Sequence, residues 1–333
     1  MTEAERFVAR PPGATSAPPG RAAAAEFGPL AALVADAAVT DVFVTGGGRV
    51  WADRGAGLDA AGVTLAEPEA RALAVRLLAL GGRHIDEASP CVDARLAGGI
   101  RVHAVLPPVS TSGTLLSVRL PRLEALGLAD LEAAGFFGEP GLALVRGLVA
   151  RRANVLVSGA GGAGKTTLLA AMLAAAPPGE RIVVIEDVAE LRIDHPHVVG
   201  LEARQANLEG AGEVGLARLV REALRMRPDR LVLGECRGAE VRELLSALNT
   251  GHDGGAGTIH ANSLADVPAR LEALGAVAGL GELALARQAV SAIDAVLHLE
   301  RVDGARRLVA AGRLVLDPRG RLAVAPLAAE GAA

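Results

Sequence analysis

A phosphate-binding loop is indicated by the spacing G-x-x-x-x-G-K-[ST], which fits Gly159-Ala160-Gly161-Gly162-Ala163-Gly164-Lys165-Thr166. Glycines let successive backbone N–H groups turn inward around phosphate oxygens, because no Cβ blocks the approach. A compact ammonium fits between a β- and a γ-phosphate, where the broad guanidinium of an arginine would not. Of the 34 lysine and arginine residues, Lys165 is the only lysine, so the chain keeps this residue type where the chemistry requires it. The pattern predicts a site for a nucleoside triphosphate.

The neighbouring sequence supports this interpretation of the loop. An apolar run at 154–158 is typical of a buried parallel strand, and the run from Thr167 to 173 is typical of a helix. A helix that begins at the loop points the positive end of its dipole at an anion. The hydroxyl of Thr166 is a ligand for Mg²⁺, and we expect the loop through Thr167 to contact the phosphates. The predicted cofactors are ATP and Mg²⁺.

A carboxylate follows a second apolar strand, Leu231-Val232-Leu233-Gly234-Glu235. P-loop ATPases keep an acid at this position, where it holds Mg²⁺ through water or orients the attacking water. The aspartate that usually precedes the glutamate is replaced here by Gly234. The alternative is that Glu235 only pairs with Arg237 or Arg227 at the strand end.

A third strand also ends in acidic residues, since Ile182–Glu186 is followed by Asp187 and Glu190. Ligands of parallel sheets bind outside the carboxyl ends of the strands, so this cluster falls where a metal or a water would lie beside the phosphates. The alternative is a solvated acidic turn. On the first interpretation, Glu186 or Glu235 supports Mg²⁺ through water.

Two histidines lie in the glycine-rich segment 249–262. A neutral imidazole beside a γ-phosphate can sense charge or donate a hydrogen bond during hydrolysis. This predicts a nucleotide-linked role for His260 and, less strongly, for His252. The alternative is that both are structural hydrogen-bonding residues.

Composition excludes several other functions. The formal net charge of -4 and the 2% aromatic content argue against a nucleic-acid partner. Cys91 and Cys236 lie far apart in the sequence, so neither a disulfide framework nor a zinc site is predicted. No segment approaches the apolar length of a membrane span, and the first residues lack a signal-peptide core. We therefore expect a cytoplasmic protein in a reducing compartment.

The pattern of elements predicts two domains of different class. A flexible tail (1–25) precedes an α+β N-terminal domain (26–125), a linker (126–140) and an α/β RecA-like P-loop ATPase core (141–333). In the first domain we expect helices at 27–38 and 67–80, a hairpin formed by 41–45 and 49–53, and strands at 100–106 and 114–120. In the second, strands alternate with helices, and a β-meander is expected at 302–327.

The motifs together resemble the secretion ATPase superfamily of type II and type IV secretion and type IV pili. The segments that carry the resemblance are 222–230, 234–238, 249–254 and 258–262. They are most similar to the TadA/CpaF-type ATPases of tight-adherence (Flp) pili, including the conjugal-transfer-associated members. The resemblance covers almost the whole chain beyond the tail.

The resemblance implies roles for particular residues. It places Glu186 and Glu190 in an Asp box, Glu235 at the Walker B glutamate, and His252 and His260 in a His box. It also implies that Arg101 and Arg119 of the N-terminal domain reach the γ-phosphate as the two domains close.

The resemblance further implies an assembly and a partner. We expect a homohexameric ring that works with an inner-membrane platform protein, at the inner face of the cytoplasmic membrane, to drive export of pilin or another substrate. Two features depart from the family pattern: the chain has too few cysteines for the tetracysteine zinc module of some members, and Ala163 replaces the serine common in the loop.

Two other functions stay compatible with the motifs. The first is a scaffold that binds ATP, assembles and hydrolyses slowly, which the replaced Walker B aspartate and Ala163 favour. The second is a DNA-translocating ATPase with a RecA-like core, which the acidic balance and scarcity of aromatic residues disfavour.

Overall fold

The computed structural model describes residues 24–55, 57–121, 126–204 and 212–327. It divides into two compact units, Met1–Leu123 and Glu124–Ala333. The predicted tail at 1–25 lies outside the described residues, except that residues 24 and 25 begin a 3-10 helix. The predicted linker at 126–140 contains a short helix and belongs to the second unit.

The first unit is an antiparallel sheet covered by helices. Its six strands run in the order β3-β2-β1-β6-β5-β4. Its elements are a 3-10 helix (Ala24–Leu30), α1 (Ala31–Ala35), β1 (Asp41–Val44), β2 (Arg49–Asp53), β3 (Leu58–Thr64), α2 (Glu67–Leu80), β4 (Cys91–Arg95), a 3-10 turn (Ala97–Gly99), β5 (Arg101–Val105) and β6 (Leu115–Arg119).

Alternation along these strands decides which sheet face is buried. Val42 and Val44 in β1, and Val102 and Ala104 in β5, are buried, whereas the residues between them are partly exposed. Helix α2 packs its apolar stripe onto the buried face, because residues at i, i+3, i+4 and i+7 share one side of a helix. The stripe consists of Ala70, Leu73, Ala74, Leu77 and Leu78.

The elements that the sequence predicted for this unit are present except its first helix, but β3 and β4 were not predicted. The hairpin of β1 and β2, the helix at 67–80 and both later strands are present. The single helix expected at 27–38 is wrong, because a 3-10 helix leads into α1, which ends at Ala35. Gly28 has a φ of 52° and Pro29 follows it, so a continuous α-helix cannot pass through these residues.

The second unit is an α/β domain built on one eight-stranded sheet. Its elements are α3 (Leu128–Ala133), α4 (Gly141–Ala150), β7 (Val155–Gly159), α5 (Lys165–Ala174), β8 (Ile182–Glu186), β9 (Val198–Glu202), α6 (Leu216–Ala223), a 3-10 turn (Leu224–Met226), β10 (Arg230–Leu233), α7 (Glu240–Leu248), β11 (Ala256–Ile259), α8 (Val267–Val277), α9 (Glu282–Ala292), β12 (Ala295–Val302), β13 (Ala305–Leu316) and β14 (Leu322–Pro326).

The strand order β14-β13-β12-β7-β11-β10-β8-β9 places the phosphate-binding strand in the interior of the sheet. Strands β12, β7, β11, β10, β8 and β9 are parallel, so their carboxyl ends meet at one edge. The sequence did not predict β12 or helices α8 and α9. His298 and Glu300 interrupt the apolar run of β12, so the strand that pairs with β7 did not show the continuous apolar pattern of a buried strand.

Across the described ranges, no helix combines the length and apolar character that a membrane crossing requires.

Candidate nucleotide-binding site

The phosphate-binding loop connects β7 to α5 at the carboxyl edge of the sheet. All five residues of β7 are buried, and α5 begins at Lys165. Gly164 precedes the helix with a φ of 100°, a conformation that L side chains rarely adopt. The glycine therefore lets the chain turn from strand to helix, so that the first N–H groups of α5 face the space above the sheet edge.

The side chain of Lys165 is held at the base of the loop. It is 7% exposed, and its Nζ donates to the carbonyl oxygens of Gly159 and Ala160 at 3.0 and 2.9 Å. Burial lowers the pKa of Lys165, while the negative charge of Glu235 opposes that change. Two backbone carbonyls thus position a buried ammonium at the loop.

Glu235 meets two partners at the end of β10. One carboxylate oxygen lies 2.6 Å from His260 Nε2, and the other lies 2.5 Å from an Nη atom of Arg237. The guanidinium of Arg237 also lies 3.8 Å from Asp187, so it connects the acids that follow β8 and β10. The structure thus contains the Glu235–Arg237 pair expected under the alternative interpretation, together with the proximity to Lys165 and His260 expected under the catalytic one.

His260 lies between the lysine and the glutamate. Its Nδ1 is 3.5 Å from Lys165 Nζ, and its Nε2 faces Glu235. Burial lowers the pKa of His260, and the charge of Lys165 lowers it further. A neutral ring with its proton on Nε2 suits both neighbours, because Nδ1 then accepts and Nε2–H faces the carboxylate. This residue can therefore connect the loop to the acid at neutral pH.

Glu186 occupies the space beside Gly234. Its side chain is buried, and Oε1 accepts from the backbone N–H groups of Glu190 and Leu191 at 2.8 and 2.9 Å. A Cβ on Gly234 would lie 2.7 Å from Cγ of Glu186. The glutamate of β8 therefore fills the space that an aspartate side chain at 234 would need, which explains why that position carries glycine.

His252 is not brought into this cluster. It lies in the turn before β11, at the amino edge of the sheet, whereas Lys165, His260 and Glu235 lie at the carboxyl edge. Its Nδ1 is 3.3 Å from the carbonyl oxygen of Ala247. This placement separates the two histidines for which the sequence analysis predicted related roles.

Arg101 and Arg119 lie on neighbouring strands of the first unit. They are direct cross-strand partners, so both side chains emerge on one sheet face. Arg119 Nε also lies 3.2 Å from Asp41, and Arg95 is the cross-strand partner of Arg101. The sheet therefore presents three arginines in one row, and the approach of Arg101 and Arg119 to a γ-phosphate stays a prediction.

A buried histidine below the loop was not found from the sequence. His298 in β12 is the cross-strand partner of Ser158 in β7, and Ser158 Oγ lies 2.9 Å from Nδ1. The ring is 1% exposed, and Nε2 lies 3.4 Å from Glu300. Burial lowers the pKa of His298, and Glu300 and Asp266 oppose that change. The sequence signal that could have identified it is a polar residue, His298, between the apolar residues 295–297 and Leu299.

We expect His298 to reduce the free energy of unfolding at acid pH. Below its ordinary pKa of 6.5, the unfolded chain binds a proton at this ring, whereas the native chain does so only at lower pH. Stability should fall as pH falls from 6.5, with a slope from this residue of at most about 1.4 kcal/mol per pH unit. Urea unfolding of His298→Gln between pH 5 and 8 should show a shallower dependence. The exposed His84→Gln is the control, and equal slopes in all three proteins would contradict the assignment.

The donor set of the site suits a magnesium ion that arrives with a nucleotide. No group of three or more His, Cys, Asp or Glu side chains in the described ranges could hold a metal by itself. Mg²⁺ is usually held by one or two protein oxygens, phosphates and water, rather than by an all-protein cage. Thr166, half-buried at the start of α5, and the carboxylates of Glu186 and Glu235 at the same edge fit this requirement.

A family comparison matches almost the whole described chain. The family model described as "Type II/IV secretion system protein" matches residues 23–316. A protein of Mycobacterium tuberculosis described as "Putative conjugal transfer protein" is 51% identical over 302 residues, which cover 89% of this chain and 86% of the relative. The conjugal transfer protein TrbB of Rhizobium radiobacter is 32% identical over 285 residues, covering 84% of each chain.

Solved structures share the fold at lower identity. The pilus retraction motor PilT, solved with bound ADP, matches with a TM-score of 0.59 and 20% identity, covering 92% of this chain and 82% of that one. The ATPase DotB of Legionella pneumophila matches with a TM-score of 0.57 and 21% identity, covering 86% and 76%. Both confirm the architecture of an N-terminal domain and a RecA-like ATPase core.

Proposed function

The chain belongs to the type II/IV secretion system protein family, and on this premise we propose that it hydrolyses ATP to drive export through a secretion or pilus system. The observation that carries the proposal is the contact of Lys165, His260 and Glu235 at one sheet edge. A phosphate-binding ammonium and a carboxylate, connected by a neutral imidazole, can bind a triphosphate and position the water that attacks it.

Each side chain has a stated task in this reaction. The N–H groups of the loop and Lys165 bind the β- and γ-phosphates. Thr166 would hold a Mg²⁺ ion, which would supply positive charge to the phosphates. Glu235 orients or deprotonates the attacking water, and His260 holds the carboxylate in place beside the phosphates. Glu186, fixed by two backbone N–H groups, supports the metal through water where a Walker B aspartate is lacking.

We further propose that Arg101 and Arg119 stabilise charge on the γ-phosphate. Their cross-strand pairing concentrates positive charge on one face of the first unit. Positive charge gathered on one sheet face attracts an anionic group such as a phosphate. Arginines that approach a transferring phosphoryl group accelerate the reaction by roughly 10³-fold or more.

The working form that we propose is a homohexameric ring at the cytoplasmic face of the membrane, attached to a platform protein. The exported cargo would be a pilin, as in tight-adherence systems, or a substrate of a conjugal transfer system. The relatives described as conjugal transfer proteins support the second cargo class.

The test is the steady-state rate of ATP hydrolysis per subunit, measured with Mg²⁺ across a wide range of protein concentration. A ring whose sites are completed on assembly should give a rate per subunit that rises steeply and then saturates. Size-exclusion chromatography with light scattering at the same concentrations should show a hexamer appear over the same range.

Two results would count against this proposal. Saturating hydrolysis by a monomer would remove the need for a ring. Nucleotide binding without measurable hydrolysis at any concentration, with or without membranes carrying the platform protein, would instead favour the slow scaffold.

A further inference from the structure

Two aromatic rings and an arginine lie beside the phosphate-binding loop, and the proposed reaction uses none of them. Phe136 and Phe137 are the only Phe, Trp or Tyr residues of the second unit. A Cβ on Gly164 would lie 3.5 Å from Cε2 of Phe136 and 3.3 Å from Cδ of Arg306. Both side chains therefore pack directly against the residue that precedes Lys165.

The position of Arg306 follows from the β12–β13 hairpin. Strand β12 pairs with β7 up to Leu299 and Gly159, and the hairpin then continues past the end of β7. Arg306 lies in this extension, so its side chain reaches the loop, and its Nε donates to the carbonyl oxygen of Gly162 at 2.8 Å. The arginine is thus attached to the loop from the side of β12 and β13.

The two rings form a compact pair on the same side. Their centroids are 5.5 Å apart with an interplanar angle of 79°, so Phe137 meets Phe136 edge to face. Phe136 is 4% exposed and belongs to the core beneath the loop, while Phe137 is only partly buried. The backbone here is fixed to β13, because Phe136 O accepts from Leu308 N at 2.8 Å. The pair therefore consists of one buried ring and one partly exposed ring, held next to β13.

The layout of the sheet sets the direction of a bound nucleotide. Strand β7 lies between β11 and β12, and His260 and Glu235, which mark the γ-phosphate end, lie on the β11 side. A triphosphate bound along the loop must then point its α-phosphate, ribose and base away from that side. The opposite side is that of β12 and β13, and both Phe137, which bridges to Leu308, and Arg306 belong to it.

We propose that Phe137 and Arg306 form the base subsite of the nucleotide site and that it takes a purine. This inference rests on the proposed ATPase function. It concerns the base of the nucleotide, which the phosphate-binding motifs do not contact. Aromatic rings and guanidinium planes both stack on bases, and a purine offers the larger face. Arg306 supplies donors only, and adenine and guanine both present an acceptor at N7, so the subsite favours purines over pyrimidines with little preference between the two purines.

Binding of nucleotides and of a phosphate chain without a base tests the subsite. The probes are the Mg²⁺ complexes of non-hydrolysable ATP, GTP and UTP analogues and of inorganic tripolyphosphate, titrated calorimetrically into the full chain. In the unaltered protein, the two purine analogues should bind with comparable affinity and more tightly than the UTP analogue. Phe137→Ala should weaken the ATP analogue about tenfold and leave the tripolyphosphate affinity within about twofold.

Further variants separate stacking from loop support. Phe137→Leu keeps apolar bulk without a π-face and should lose most of the same affinity. Arg306→Ala should also weaken the purine analogues more than tripolyphosphate. The matched control is Arg307→Ala, which removes the same charge from the next, exposed position of the strand and should change neither affinity.

Three outcomes would overturn the subsite. Unchanged binding of the ATP analogue in both Phe137→Ala and Arg306→Ala would show that the base lies elsewhere. Equal weakening of tripolyphosphate and the ATP analogue would show that the residues only support the loop. Failure of the unaltered, folded chain to bind any of the probes would refute the proposed ATPase function itself, a result distinguishable from the other two.

Discussion

Glu235→Gln is expected to lower kcat for ATP hydrolysis by about 10²- to 10⁴-fold and to leave nucleotide binding nearly unchanged. The amide keeps the size of the side chain and can still face His260 and Arg237, but it cannot accept a proton from water. Because Lys165 and the loop bind the phosphates, the affinity for a non-hydrolysable ATP analogue should change by less than about threefold.

Single-turnover hydrolysis and analogue binding should be measured on the same preparation. The control is Glu243→Gln on α7, whose carboxylate pairs with Arg221 at 2.9 Å on the exposed side. It should hydrolyse ATP like the unaltered chain. Turnover by Glu235→Gln within a few fold of the unaltered rate would reduce Glu235 to the ion-pairing residue of the alternative interpretation.

Gly234→Asp, which restores the usual Walker B acid, is expected to damage the protein. The new Cβ would lie 2.7 Å from Glu186 Cγ and 3.3 Å from its Oε1, so the buried glutamate must move. Overpacking of this kind costs about 1–3 kcal/mol of unfolding free energy, and a second carboxylate beside a buried one adds repulsion. Urea unfolding should show the loss, and the ATPase rate should fall with it.

A double variant separates the clash from a general intolerance of aspartate. Glu186→Ala in the Gly234→Asp background should cost less than the sum of the two single changes, because the first creates the room that the second needs. Gly200→Asp in β9 is the control, since an added Cβ there meets no atom within 4 Å. Strict additivity of the two changes would contradict the proposed exchange of space between residues 186 and 234.

Local patterns in the sequence determined most of the fold. Helix 67–80 and strand 182–186 were predicted at the residues where they are found. The apolar pattern that identifies each of them lies within the element itself, so it can be recognised from a short stretch of sequence. The phosphate-binding loop was recognised for a similar reason: the turn, the ammonium and the helix that it needs are contiguous. Strand β12 was missed because its burial depends on pairing with β7, about 140 residues earlier, and not on an apolar run of its own.

The candidate site was predicted as a set of residue types, and only the tertiary structure decided which of them meet. The sequence predicted a nucleotide-linked role for His260 and, less strongly, for His252, yet the sheet places the two at opposite edges. Glu186 and Glu235 both ended apolar strands, yet one is held by backbone N–H groups and fills the space beside Gly234, while the other faces His260 and Arg237. The packing of Phe136 and Arg306 against Gly164 depends on a hairpin 140 residues further along the chain. Strand order and register bring such distant segments together. These long-range contacts could not be predicted, because they produce no pattern in the local sequence.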